Sequence, residues 1–235
     1  MSEHHCIEGL AAVIPIANLD TDQIMPKQFL RGIDKSGLDK GVLHDMRFDA
    51  DGGPRNDFVL NRPEYAETSI LIAGPNFGCG SSREHAVWGL QQFGIRAIIA
   101  SSFGEIFYSN AMNNRLLLVM LAEAEIQALM ARAARPEGGR IAIDLQAMCV
   151  RSEGRVATFT LSTRHRDMFM KGQDMIGASL ALKAQIDAFA AEHWSSHPWL
   201  KDVALSRRGR TYRSKSCSGI VPPVAGASVM DKARS

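Results

Sequence analysis

Apolar residues along this chain come in short, dense runs broken by polar turns, and the runs alternate in period. Glu8–Ile16 predicts a strand, with Pro15 interrupting it near its end. The turn Asn18-Leu19-Asp20-Thr21-Asp22-Gln23-Ile24 follows, dense in short polar side chains, and a short helix is expected from Pro26. Residues 32–57 are rich in Gly, Asp and Lys with weak periodicity, which predicts a long functional loop containing one helical turn. From Ser69 the pattern sharpens. Strand 69–73, helix 84–93, strand 96–100, helix 103–112 and strand 116–121 alternate as βαβ units do. An Ala-rich helix over 123–134 is closed by Arg135-Pro136-Glu137-Gly138-Gly139. Ile141–Val150 and Arg155–Leu161 are expected to pair as a hairpin about Ser152-Glu153-Gly154. A last helical region spans 174–193, with a break at Gly177. Beyond Trp199-Leu200 the apolar pattern dissolves, so an α/β fold in a single domain, residues 1–200, is expected to carry a tail over 201–235.

Composition narrows the class. At 235 residues the chain can bury one substantial core, and its 46% apolar and 22% charged residues fit a soluble globular protein. No run reaches the length of a membrane span, and the N-terminus lacks the basic-then-apolar pattern of a secretory signal. Cys6, Cys79, Cys149 and Cys217 are scattered without a Cys-x-x-Cys pair. That spacing argues against a structural zinc or a self-contained iron–sulfur cluster, and for reduced thiols in a cytoplasm. The net charge of +2 hides an asymmetry. Residues 201–235 hold eight Lys/Arg against Asp202 and Asp231, and removing that +6 leaves about −4 on the rest. A basic tail with one tyrosine and no patterned apolar residues reads as a solvated, disordered extension, and the acidic body argues against a nucleic-acid partner.

The densest chemistry sits in Gly74-Pro75-Asn76-Phe77-Gly78-Cys79-Gly80-Ser81-Ser82-Arg83-Glu84-His85-Ala86. A buried strand, a glycine loop and a helix N-terminus in succession form an anion site, because free amides and the positive end of the helix dipole converge there. Arg83 adds a planar fork suited to a carboxylate or phosphate. The plainer alternative is a capping box, Ser81-x-x-Glu84, and Ser102-x-x-Glu105 repeats its spacing before the next helix. Three glycines, paired hydroxyls and a guanidinium exceed what a cap needs. A phosphate loop lacks its Gly-Lys-Ser/Thr ending, and a dinucleotide fingerprint lacks its third glycine.

Ser81 has no Ser-His-Asp companions, and His85, four residues on, reads as a packing residue. A serine without histidine can still serve as a base if its alkoxide is stabilised by the helix terminus, loop amides and Arg83. Proton abstraction beside a carboxylate gripped by the arginine fits that set, and so does simple anion binding. Asp20-Thr21-Asp22 has the look of an acidic metal turn without the calcium-loop continuation, and spacing alone favours an Asx-turn capping the next helix. Cys79 is a candidate redox thiol beside a helix terminus.

The run Asn76–Ala86 resembles the signature of the swivelling domain of the aconitase superfamily, and most nearly that of the small subunits of bacterial 3-isopropylmalate dehydratases. The resemblance continues through Asp20–Leu30, Asp57-Phe58-Val59-Leu60-Asn61 and Ser101–Tyr108, and covers residues 8–199. It implies a β/β/α swivelling domain that completes an active site on a separate large subunit, as a cytoplasmic heterodimer. That subunit would carry a [4Fe–4S] cluster, with none bound by this chain. The implied reaction is a hydro-lyase isomerisation of 2-isopropylmalate and 3-isopropylmalate through 2-isopropylmaleate in leucine biosynthesis, on a small dicarboxylate hydroxy acid. By the family pattern Ser81 is the base, Ser82 and Arg83 hold a substrate carboxylate, and Asp22 matches an active-site aspartate. Lys35-Ser36-Gly37-Leu38 occupies the loop that reads the substrate's side chain, where an arginine and an aromatic are usual. Related reactions on citraconate or a dimethylmalate therefore stay open, as does a non-catalytic anion-binding subunit.

Overall fold

The structure, a computed structural model, describes residues 5–30 and 36–203. Strand β1 (Cys6–Ile14) stops before Pro15, whose missing N–H cannot serve a ladder. Helix α1 (Thr21–Ile24) follows, then 3-10 turns at Lys27–Leu30 and Leu38–Gly41, and the single turn α2 (His44–Arg47). Next come β2 (Thr68–Ala73), α3 (Glu84–Gln92), β3 (Ala97–Ala100), α4 (Glu105–Asn113), β4 (Leu117–Met120) and α5 (Glu123–Ala133). A meander of β5 (Arg140–Asp144), β6 (Cys149–Ser152) and β7 (Arg155–Thr158) leads into α6 (Thr163–Met170) and α7 (Met175–Leu180). These elements form one compact unit ending at Ala181. From Leu182 a second unit holds α8 (Lys183–Ser196) and a 3-10 turn, Pro198–Leu200. The expected basic tail lies, from residue 204, outside the described residues.

One mixed sheet orders the strands β4-β3-β2-β1-β5-β6-β7. β1 to β4 are parallel; β1 and β5 to β7 pair antiparallel. The parallel strands β3 and β4 are short and apolar, and every residue of β3 is buried, as sheets covered on both faces require. α5 packs across β1, β2 and β3, while α3 lies against α4 and the Leu38–Gly41 turn. The connections leaving the C-terminal ends of β1, β2 and β3 gather at one end of the sheet, where open α/β sheets place their ligands.

Several expectations are corrected. The short helix expected from Pro26 is the 3-10 turn Lys27–Leu30, and a separate helix, α1, precedes it because Asp20 caps Thr21–Ile24, as the Asx-turn reading expected. Asp20 Oδ1 accepts from the Gln23 amide at 2.7 Å, and Gln23 Oε1 accepts from the Asp20 amide at 3.1 Å. The strand expected over 141–150 is two strands, because the Asp144 carboxylate accepts from the amides of Gln146 and Ala147 and turns the chain. The last helical region breaks at Ala181–Leu182 rather than at Gly177, whose amide is held by the Asp174 cap inside the first turn of α7. α6 was not anticipated; its polar run Thr163-Arg164-His165-Arg166 hides the stripe, and of its residues only Met168 and Phe169 are buried.

Candidate active site

The loop from Gly74 to Arg83 is built by its glycines and by what it leans on. Gly78 lies at φ 74° with the Phe107 ring so close that a Cβ would stand 2.3 Å from it, so no other residue fits. Gly80, at φ 93°, turns the chain back along α1. The aromatic rings of Phe77, Phe103 and Phe107 meet edge-on beneath, with centroids 6.5 and 5.5 Å from Phe77.

The turn after β1 is sewn to this loop residue by residue. The Asn18 amide donates to the Pro75 carbonyl at 2.9 Å, Gly78 donates to Leu19 at 2.7 Å, and Thr21 donates to Cys79 at 2.9 Å. Asn76 Nδ2 donates to Asn18 Oδ1 at 2.8 Å, and the Cys79 thiol to the Asn18 carbonyl at 3.3 Å. Thr21 is 1% exposed, and its hydroxyl donates to the Ser81 carbonyl at 2.9 Å. Asp22, one residue on, forms an ion pair with Arg83. Apart from each other, Asp22 Oδ1 and Arg83 Nη1 have no hydrogen-bond partner among the described residues, and both atoms are buried. Segments 60 residues apart in sequence thus bring Ser81, Ser82, Arg83 and Asp22 together at the head of α3.

Neither Ser-x-x-Glu is a capping box. The N-cap of α3 is Arg83 and that of α4 is Gly104, and neither side chain caps. Glu84 is taken instead by Asn114, whose Nδ2 donates to it at 2.5 Å, and Ser102 Oγ accepts from the Asn76 amide at 2.9 Å. Ser81 and Ser82 are exposed, and among the described residues neither hydroxyl has a hydrogen bond. His85 packs, its ring 4.9 Å from that of Trp88. Ser36 is exposed ahead of Leu38, whose amide donates to Gln92 Oε1 at 2.9 Å; Lys35 lies outside the described residues.

The family model of the aconitase C-terminal domain matches residues 1–124, more than half of the chain. The chain belongs to that family. It is 64% identical over 210 residues to "3-isopropylmalate dehydratase small subunit 1" of Chromobacterium violaceum, across 89% of this chain and 99% of that protein. It is 46% identical over 198 residues to "3-isopropylmalate dehydratase small subunit" of Phenylobacterium zucineum, across 83% of this chain and 96% of that one. The crystal structure of a 3-isopropylmalate dehydratase from Methanocaldococcus jannaschii superposes with TM-score 0.57 at 26% identity, covering 79% of this chain and 99% of that one. The fold is therefore of the aconitase small-subunit type.

Membership of the aconitase family implies an iron–sulfur cluster on a large partner subunit. The described residues of this chain do not fit the cluster themselves. Cys6, Cys79 and Cys149 are free thiols, Cys79 standing in the loop and the other two on β1 and β6. Among the described residues no group of three or more His, Cys, Asp or Glu could hold a metal ion, which also leaves the Asp20-Thr21-Asp22 turn to capping and ion pairing. No helix among them is long and apolar enough to cross a membrane.

Proposed function

We propose that this chain is the small subunit of a cytoplasmic 3-isopropylmalate dehydratase. It supplies the base and the carboxylate clamp to an active site completed by a [4Fe–4S]-bearing large subunit. The observation that carries the reading is the pair of unspent hydroxyls, Ser81 and Ser82, beside Arg83 at the head of α3. Folding consumes nearly every other polar group of the loop and leaves these exposed. A half-site awaiting a second subunit has that property.

The chemistry follows from the charges. A substrate carboxylate docks on Arg83 and Ser82, where a guanidinium fork and the helix dipole both favour an anion. Asp22 holds the guanidinium in place before the substrate arrives. The same field favours the Ser81 alkoxide, which takes the carbon-bound proton as its electron pair forms the double bond and hydroxide departs. Lewis acidity for the departing hydroxyl comes from the cluster when it is bound on the large subunit. Rehydration with the regiochemistry reversed returns the proton from Ser81 and yields the isomer. Lys35 and Ser36, preceding the Leu38 turn, contact the substrate's side chain.

Co-expression with the large subunit encoded by the same organism tests this. Loss of the 2-isopropylmaleate absorbance should be faster than turnover of citraconate or a dimethylmalate. Preference for either of those reassigns the substrate, and a complex inactive on all three favours the anion-binding subunit.

A further inference from the structure

We infer that Thr21 is a positioning residue for the reaction: its buried hydroxyl fixes the peptide plane between Ser81 and Ser82 and so aims the Ser82 amide at the substrate carboxylate. This rests on the proposed roles of Ser81 and Ser82.

Thr21 opens α1, a helix too short to be held by its own hydrogen bonds. Its backbone amide is already committed to the Cys79 carbonyl at 2.9 Å. The residue is 1% exposed, and the hydroxyl spends its proton on the Ser81 carbonyl at 2.9 Å. A trans peptide is planar, with its C=O and N–H directed oppositely. Holding the Ser81 carbonyl against α1 therefore turns the Ser82 N–H away from α1, towards the open side where both serine side chains are exposed. Among the described residues that amide has no hydrogen-bond acceptor. Gly80, at φ 93°, gives the preceding residue no stiffness of its own, so the plane needs an outside tether. Its virtual Cβ would stand 3.7 Å from Thr21 Oγ1, so the tether lies directly against the freely jointed residue. The Ser82 amide then joins Arg83 as a second, uncharged donor for the carboxylate.

Three variants of the full chain, assembled with the large subunit, test it. Thr21→Val keeps the shape and removes the donor, and Thr21→Ser keeps the donor. Thr21→Val should lower kcat/KM about tenfold to a hundredfold, the scale of a small misplacement of reacting groups, and Thr21→Ser should restore it to within about threefold. Ser81→Ala, the third variant, tests the base independently of the tether. The backbone is read without turnover in the full chain alone. Thr21→Val should shift the Ser81 carbonyl ¹³C resonance and the Ser82 amide, and Thr21→Ser should leave both in place. An unchanged Ser81 carbonyl resonance in Thr21→Val overturns the tether, whatever the activity. A shifted resonance with wild-type kcat/KM overturns its role in the reaction. If the wild-type complex turns over no dehydratase substrate, the proposed function fails, and the resonances still decide whether Thr21 sets the plane.

Discussion

Two loops leave the parallel half of the sheet with the same local sequence, Ser-x-x-Glu, and use it in opposite ways. After β3, Ser102 gives its oxygen to the Asn76 amide and so ties the neighbouring loop down. After β2, Ser81 gives nothing, and its hydroxyl stays exposed. One serine is spent on the fold and the other keeps its hydroxyl exposed, although no local sequence rule distinguishes them. What separates them is long-range: Asn76 lies 26 residues from Ser102, and Asn114 lies 30 residues from Glu84. A buried or half-buried donor that must be satisfied recruits whichever acceptor the fold brings near.

The comparison breaks most visibly at Ser81. Ser81→Ala should reduce turnover of the reconstituted enzyme by about 100- to 10,000-fold, the usual cost of losing a general base. Its Tm should stay within about 2 °C, since the hydroxyl has no partner among the described residues to lose. Near-normal turnover would remove the base from this residue. Arg83→Lys keeps charge but loses the fork, and hydrogen bonds to charged groups contribute about 1.5–3 kcal/mol. Steady-state kinetics should show kcat/KM falling by about 10- to 150-fold. An arginine that only serves Asp22 would tolerate lysine with unchanged kinetics.

Ser102→Ala is the mirror experiment. It strands the Asn76 amide and should cost about 1 kcal/mol or more of stability, read as a Tm drop of about 2–4 °C. The specific activity of the folded enzyme should change by less than about threefold. A large kinetic defect at unchanged Tm would erase the distinction between the two loops. The smallest effect belongs to Asp144, another polar group spent on the fold. Its carboxyl is held below the usual range chiefly by the Ala147 amide, helped by the Gln146 amide and Arg151 and opposed by partial burial. A depressed native pKa stabilises above the unfolded value of about 3.9 and is lost as pH falls through the native one. Asp144→Asn should therefore lower Tm slightly at pH 7, with the deficit shrinking as the pH is taken below about 4, and kinetics unaffected.

The sequence made the parallel half legible, since apolar runs such as Ile70-Leu71-Ile72 and Ile98-Ile99 are buried on both faces and bounded by glycine or polar turns. The glycine loop with Arg83 stood out in the sequence as a cluster of residue types unlike the apolar runs around it, which is what marked it as a candidate site. The cap at Asp20 was read correctly from its spacing, but the two Ser-x-x-Glu caps do not form, because spacing shows which bonds are possible and tertiary neighbours decide which form. Pairing of Asp22 with Arg83 and of Thr21 with Ser81 was invisible to local pattern, each joining residues about 60 positions apart. One signal for the missed turn was present: Asp144, followed by residues whose amides it could accept, marks an Asx-turn inside an otherwise apolar run.

The place of β1 in the sheet has a consequence for how the chain is made. β1, which precedes the other six strands in chain order, is flanked by β2 and β5, so Leu10 meets Thr68, and Cys6 meets Asp144. Its first edge closes only after some sixty residues have emerged, and its second only after the chain has passed Asp144. Until then an apolar segment with unpaired amides must be kept from other chains, and loop closure over such separations slows folding. Synthesis therefore delivers the central strand before either of the neighbours that will cover its edges.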